Sequence, residues 1–149
     1  MDAVHRGAWV GLRWVTALYA LGVVVQFFLV GYGLFAMKHG ATIDDAKSLD
    51  AHRGFGFVLS DFGTGLILLL TLLAWPKPRS VLGRYLLLVV LAFVQPILAT
   101  EGYHHWGLGM FHPVNALLLL GLSIHLTIYA RRHTRDGAEI GAAAEAAAA

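Results

Sequence analysis

Residues 54–75 read GFGFVLSDFGTGLILLLTLLAW and contain a single charged side chain, Asp61. A helix crosses a membrane with about 20 mostly apolar residues, so this stretch predicts one membrane-spanning helix. Three further stretches have a similar length and composition, and the four together decide the fold. We predict four spans, at residues 14–37, 54–75, 81–100 and 113–130.

The composition of the whole chain agrees with membrane insertion. Of its 149 residues 58% are hydrophobic and 13% are charged, and the mean hydropathy is +0.67, whereas soluble domains carry about 25% charged residues. The chain has no cysteine, which excludes disulfides, thiolate metal sites and cysteine nucleophiles. It has no phosphate-binding loop, zinc-protease motif or nucleophile elbow. A net charge of +2 gives no indication of nucleic-acid binding.

The lysines and arginines predict the orientation. Eight of the eleven lie before span one, between spans two and three, or after span four. They are Arg6, Arg13, Lys77, Arg79, Arg84, Arg131, Arg132 and Arg135. Because cytoplasmic loops are rich in lysine and arginine, both termini are predicted to be cytoplasmic, in a bacterial plasma membrane. The predicted fold class is an all-α, antiparallel four-helix bundle in the lipid bilayer, with cytoplasmic segments at residues 1–13 and 131–149. No internal repeat of the kind that transporters use is expected.

Two of the eight histidines, His52 and His112, open helices at the outer surface. In such a bundle spans two and four can face each other across the core. Two imidazoles at one depth on facing helices form an axial pair for a b-type haem. Gly56 and Gly63 fall near the face of His52 and would leave room for a porphyrin. Arg53 could pair with a haem propionate at the water boundary.

Polar side chains inside the spans predict a buried network. A charge at the bilayer centre costs about 2.5–3.5 kcal/mol on insertion scales, so Asp61 is expected to face the bundle interior. Gln26 and Gln95 lie near the middle of spans one and three, and His125 lies inside span four. The network would be a proton path, a polar ligand pocket or simple interhelical contact. Asn115 is expected to bond across helices or to orient a ligand.

The connection between spans three and four gives a second metal-binding hypothesis. Glu101 and His105 would share one face if the segment is helical, with His104 beside them. Imidazole and carboxylate groups bind both zinc and copper, and His39 or a histidine at the outer rim could complete the set. The alternative is a polar surface loop rich in histidine.

The motifs at the two rim histidines resemble those of known membrane proteins. H-P-x-N-A-L at residues 112–117 and H-R-x-x-G at residues 52–56 are similar to a bacterial family of short four-span membrane proteins of unknown function, over about residues 25–126. That resemblance implies the fold and no activity. The chain is also similar, more loosely, to one half of the haem A synthases and to the ascorbate-reducible transmembrane cytochromes b. This implies His52 and His112 as axial ligands. With one histidine pair and one bundle, it implies haem binding without synthase activity.

The sequence is compatible with three functions. We rank first a membrane protein that binds haem b and exchanges electrons with a quinone or a periplasmic carrier. A non-catalytic accessory subunit of a larger membrane complex, or a homo-oligomer, would need no cofactor. An outer-face zinc or copper protein would use the loop of Glu101, His104 and His105.

Overall fold

The chain folds into long helices joined by short connections. A computed structural model describes residues 3–37 and 47–148, and no β-strand occurs in those residues. The elements in chain order are α1 (Ala3–Phe35), a 3-10 helix (Lys47–Leu49), α2 (Asp50–Phe57), a π-helical segment (Val58–Gly63), α3 (Thr64–Ala74), α4 (Arg79–His104), α5 (Trp106–Gly109) and α6 (Phe111–Ala148).

Four stretches of these helices are long and apolar enough to cross a membrane. They are Ala3–Phe35, Lys47–Ala74, Arg79–Gly102 and Trp106–Glu139. Each overlaps one predicted span, so the prediction of four long apolar helices is confirmed. The helix α1 begins well before residue 14. The helix α6 continues far beyond residue 130, because its tail is rich in alanine, the strongest helix former.

The four stretches pack as a four-cornered bundle. The helix α1 packs against α6 and against α2 and α3, while α4 packs against α3 and α6. Consecutive spans are therefore neighbours, as their short connections require. The stretch formed by α2, the π-helical segment and α3 lies diagonally opposite α6.

Side chains from all four stretches fill the core. Trp9 and Tyr85 meet edge to face with ring centroids 6.4 Å apart, and the hydroxyls of Thr16 and Thr127 are hydrogen-bonded at 2.8 Å between α1 and α6. An interhelical hydrogen bond of this kind contributes about 0.6 kcal/mol in a membrane. Fully buried apolar side chains include Leu12, Ile67, Leu88, Ala92, Leu126 and Ala130.

The outside of the bundle is apolar around its middle. Large exposed side chains there include Leu21, Phe28, Phe62, Leu72, Val90, Phe93 and Leu117. Soluble monomers rarely expose apolar patches larger than a few hundred Å². A surface of this composition needs an apolar surrounding.

Candidate functional site

His52 and His112 lie side by side between the two diagonal stretches. Their ring centroids are 6.4 Å apart and the ring planes meet at 78°, and both side chains are half-buried. Asp50 and Arg53 lie at the same end of the molecule, which we call the His52 end. The structure thus brings together the two histidines that the sequence placed on facing helices.

Gln95 on α4 fixes the ring of His112. The His112 Nδ1 lies 3.1 Å from the backbone carbonyl oxygen of Gln95. A carbonyl oxygen only accepts, so Nδ1 carries the proton and Nε2 of a neutral ring keeps its lone pair. The amide Nε2 of Gln95 lies 3.3 Å from this His112 Nε2 and donates to the His112 carbonyl oxygen at 3.2 Å. Metal-binding histidines usually donate their other ring N–H to a carbonyl or carboxylate, and His112 is arranged in this way.

Asn115 holds the amide of Gln95 in that orientation. Its Nδ2 donates to Gln95 Oε1 at 2.6 Å and to the Leu91 carbonyl oxygen at 2.9 Å. Because Oε1 of Gln95 accepts from Asn115, the Nε2 of the same amide is turned toward His112. Asn115 is buried. The three side chains form one hydrogen-bonded chain between α6 and α4, and Asn115 bonds across helices as expected from its position.

His52 is held less completely. Gln26 on α1 donates from Nε2 to the His52 carbonyl oxygen at 3.1 Å. Within the described part of the chain, His52 Nδ1 and Gln26 Oε1 are buried and have no hydrogen-bond partner. Nearly all buried polar atoms in folded proteins have a partner. Two unsatisfied atoms on residues in contact therefore leave unused hydrogen-bonding capacity on this side of the histidine pair.

Gln26 and Gln95 have equivalent roles in two similar helix pairs. Each amide donates to the carbonyl oxygen of the histidine on the next span. The motif V-Q-x-x-L-x-x-x-G surrounds both, at residues 25–33 and 94–102. Sequence reasoning missed the pairing of each glutamine with a histidine, and this repeated motif is the signal that could have revealed it.

The glycines that end the two motifs also have equivalent surroundings. Gly33 lies against the 3-10 helix that precedes His52, where the Ser48 hydroxyl donates to the Gly33 carbonyl oxygen at 2.8 Å. Gly102 lies against Gly109 in α5, which precedes His112. In both pairs a close backbone approach positions the segment that leads into the histidine helix.

The helix α1 covers the glycines that were expected to make room for a porphyrin. A Cβ atom on Gly56 would lie 2.8 Å from Gln26 Nε2, and one on Gly63 would lie 3.3 Å from the ring of Tyr19. The absence of side chains at Gly56 and Gly63 thus lets α1 pack closely against them, and the Gln26 amide fills the space beside Gly56. Arg53 lies at the rim and donates to Asp50 Oδ1 at 3.2 Å.

Asp61 does not face the interior, and the expectation that it would is wrong. It is exposed, in the π-helical segment. Ser60 and Thr64 take the buried positions there, and the Thr64 hydroxyl donates to the Leu59 carbonyl oxygen at 3.2 Å. Asp61 therefore emerges on the apolar outside, next in sequence to the exposed Phe62.

Because Asp61 has no interior role, the Asp61→Leu protein is expected to be as stable as the wild type or more stable. The substitution removes a carboxylate that costs about 2.5–3.5 kcal/mol in the bilayer on insertion scales. Thermal unfolding followed by circular dichroism in lipid nanodiscs measures the effect. The matched control is Asn115→Leu, which removes a buried hydrogen-bonded amide and should lower the midpoint. A similar loss of stability in Asp61→Leu would contradict the exposed placement.

The predicted network that joins Gln26, Asp61, Gln95 and His125 is not formed. The two glutamine amides bond to different histidine segments, as described above. His125 is exposed on α6, and its Nε2 accepts from Arg84 Nη1 at 3.0 Å. The polar groups inside the spans therefore form separate pairs between neighbouring helices.

The structure does not gather the predicted zinc or copper ligands. Glu101, His104 and His105 are exposed. The helix α4 ends at His104, and His105, with φ −133° and ψ 85°, has left the helical conformation, although its N–H still donates to the Glu101 carbonyl oxygen at 2.8 Å. Among residues 3–37 and 47–148, no three histidine, cysteine or acidic side chains are placed to hold a metal ion. His39 lies outside the described residues.

Comparison of the chain with protein-family models, with curated proteins and with solved structures finds no match. Fold and site together define a small helical bundle of membrane-spanning length with a histidine pair near one end. The geometry around that pair is the basis for the function proposed below.

Proposed function

We propose that this chain is an integral membrane protein that binds one b-type haem between His52 and His112. The observation that carries the proposal is the 6.4 Å separation of the two imidazole rings inside the bundle. Metal–imidazole bonds of about 2.0–2.1 Å on either side of one ion put the ring centroids roughly 6 Å apart. Paired histidines are established axial ligands of membrane haem.

The hydrogen bonds of the two histidines support this assignment. The proton on His112 Nδ1 is held by a backbone carbonyl, so Nε2 is the ring atom with a lone pair. The Gln95 amide, 3.3 Å from Nε2, would have to turn away for an iron to bind there. The unsatisfied His52 Nδ1 lacks the partner that a ligating or hydrogen-bonding group would supply. Gln26 beside Gly56 is the side chain that would give way to a porphyrin, since its Oε1 already lacks a partner. Arg53 at the rim has the charge that a propionate needs.

The exterior and the charge distribution support the membrane setting. Exposed apolar side chains surround the middle of the bundle, and a bilayer is the solvent that suits them. We call the end opposite the His52 end the Trp75 end, because α3 stops there. Most lysines and arginines lie toward the Trp75 end. We therefore assign that end and both termini to the cytoplasmic side of a bacterial plasma membrane.

A haem held in this way would carry one electron by cycling between its ferric and ferrous states. The residues of this chain would fix the ligand rings and exclude water from the pair. Because the histidines lie near the outer rim, the electron partner would be a quinone at the membrane surface or a periplasmic carrier. These partners rest on the proposed haem.

An absorption spectrum of detergent-purified full-length protein, expressed with added haem precursor, tests the proposal. We expect a Soret band in the oxidised protein and sharp α and β bands after dithionite reduction. Pyridine extraction should give about one haem per chain. A colourless protein under these conditions would overturn the haem assignment. Elemental analysis of the same sample would then test for zinc or copper.

The two glutamines should affect haem binding differently. Gln95→Met removes the amide that ties the His112 segment to Asn115 and α4, and it also removes the amide contact at His112 Nε2. We expect the loss of positioning to outweigh the freed nitrogen, so that haem affinity falls by about tenfold or more. Gln26→Met removes an amide that blocks the space beside Gly56, and we expect unchanged or tighter binding. Titration of haem into the two apoproteins measures both affinities. Equal losses in the two variants would contradict this assignment of roles.

A further inference from the structure

The Trp75 end of the bundle has two adjoining pockets that the proposed haem site does not use. The first, of about 340 Å³, is lined by His5, Trp9, Trp75, Lys77 and His133. The second, of about 550 Å³, lies along the turn between α3 and α4 and the first turns of α4. Trp75 and Lys77 line both pockets, so the two adjoin at these side chains, and we call them together the groove.

Basic side chains border the groove. Lys77 and Arg79 line it from the turn between α3 and α4, and both are exposed. Within the described residues neither forms an ion pair with a carboxylate. An anion at the groove would therefore meet two available cations without displacing an internal partner.

His133 adds an unsatisfied nitrogen to the same place. Its ring lies against Trp9, with ring centroids 4.2 Å apart. Its Nε2 is buried and has no hydrogen-bond partner in the described part of the chain. Because this nitrogen has almost no accessible surface, a ligand in the groove does not reach it, and His133 contributes the rest of its ring to the wall of the first pocket.

The rest of the groove is apolar. Leu82 and Leu86 on α4 line the second pocket beside Trp75. Trp75 adopts φ 36°, in the left-handed region that non-glycine residues rarely occupy, and its side chain is 55% exposed. Indole rings favour the boundary between lipid head groups and acyl chains. The groove thus combines a basic, polar part with an apolar wall.

We infer that this groove binds an anionic phospholipid. Its phosphate lies between Lys77 and Arg79, and the first part of an acyl chain lies on Leu82 and Leu86. Basic pockets between helices at the cytoplasmic side have the charge and shape for such head groups. The groove lies at the end of the molecule opposite the proposed haem site, and the lipid inference does not depend on haem binding.

Native mass spectrometry of the full-length protein in detergent tests this site with phosphatidylglycerol and phosphatidylcholine as probes. We expect one tightly bound phosphatidylglycerol and no comparable binding of phosphatidylcholine. The affinity of the Lys77→Gln/Arg79→Gln protein for phosphatidylglycerol should fall by about tenfold or more. The matched control is Arg131→Gln/Arg132→Gln, which removes the same charge from exposed positions outside both pockets and should bind normally.

Two further measurements keep the proposal falsifiable. His133→Phe preserves a ring against Trp9 and removes a nitrogen that a ligand in the groove does not reach, so we expect normal phosphatidylglycerol binding. A loss as large as that of Lys77→Gln/Arg79→Gln would overturn the placement of the phosphate between Lys77 and Arg79. If Lys77→Gln/Arg79→Gln and Arg131→Gln/Arg132→Gln lost the same amount of phosphatidylglycerol binding, the lipid would be held by diffuse surface charge, and the proposed site would be overturned. Displacement of the lipid by millimolar inorganic phosphate alone would show an anion site without lipid specificity, which also overturns the proposal.

Discussion

The His52→Ala and His112→Ala proteins are each expected to purify without the b-type spectrum that we propose for the wild type. Each substitution removes one of the two imidazoles that would hold the proposed haem, and the geometry offers no third imidazole beside the pair among the described residues. Loss of groups that only support a metal ligand costs about 10–100-fold in affinity, so loss of a ligand itself should exceed about 100-fold. Absorption spectra of equal amounts of reduced protein measure the bound haem.

Two exposed histidines provide the matched controls. His105→Ala and His125→Ala make the same chemical change at positions away from the pair, and both should keep the full spectrum. His52→Met adds a positive test, because a thioether can replace one imidazole as an axial ligand and raises the reduction potential. We expect His52→Met to retain some haem with a shifted spectrum. A full spectrum in either alanine variant of the pair would contradict the ligand assignment.

The long helices could be predicted from the sequence because their signal is local. Apolar runs of about 20 residues have few alternatives in a chain with 13% charged residues. The closeness of His52 and His112 followed from the same pattern, since both residues open helices at one end of an antiparallel bundle. These features depend on the length of each apolar run, on the order of the runs along the chain and on the distance of each histidine from the end of its run. All three can be read directly from the sequence.

The contacts around His52 and His112 depend on which face of its helix each neighbouring side chain occupies. The sequence alone predicts this poorly. Asp61 was expected inside because burial away from lipid lowers its cost, but Ser60 and Thr64 occupy the inner face of the π-helical segment. A π-helical segment shifts the helical register, so spacing rules do not transfer across it. The bond between Gln95 and Asn115 joins helices that are distant in sequence, and only the packed structure reveals it.

Room for α5 beside α4 depends on two glycines, so Gly102→Ala should be strongly destabilising. A Cβ atom on Gly102 would lie 2.7 Å from the Gly109 Cα atom, and backbone can move away only by shifting α5. Crowding of this kind costs about 1–3 kcal/mol. Gly109 also lies just before His112, so the same shift should displace the imidazole and weaken haem binding.

Gly107→Ala is the matched control for this effect. It lies in the same short helix, and a Cβ atom there would meet nothing within 4 Å. Alanine is favoured over glycine in a helix by about 1 kcal/mol, so this variant should be as stable as the wild type or more stable. Thermal unfolding in detergent and haem content measure both effects. If Gly102→Ala had the same unfolding midpoint and haem content as Gly107→Ala, α5 could move without disturbing His112. The close contact between Gly102 and Gly109 would then not position the histidine.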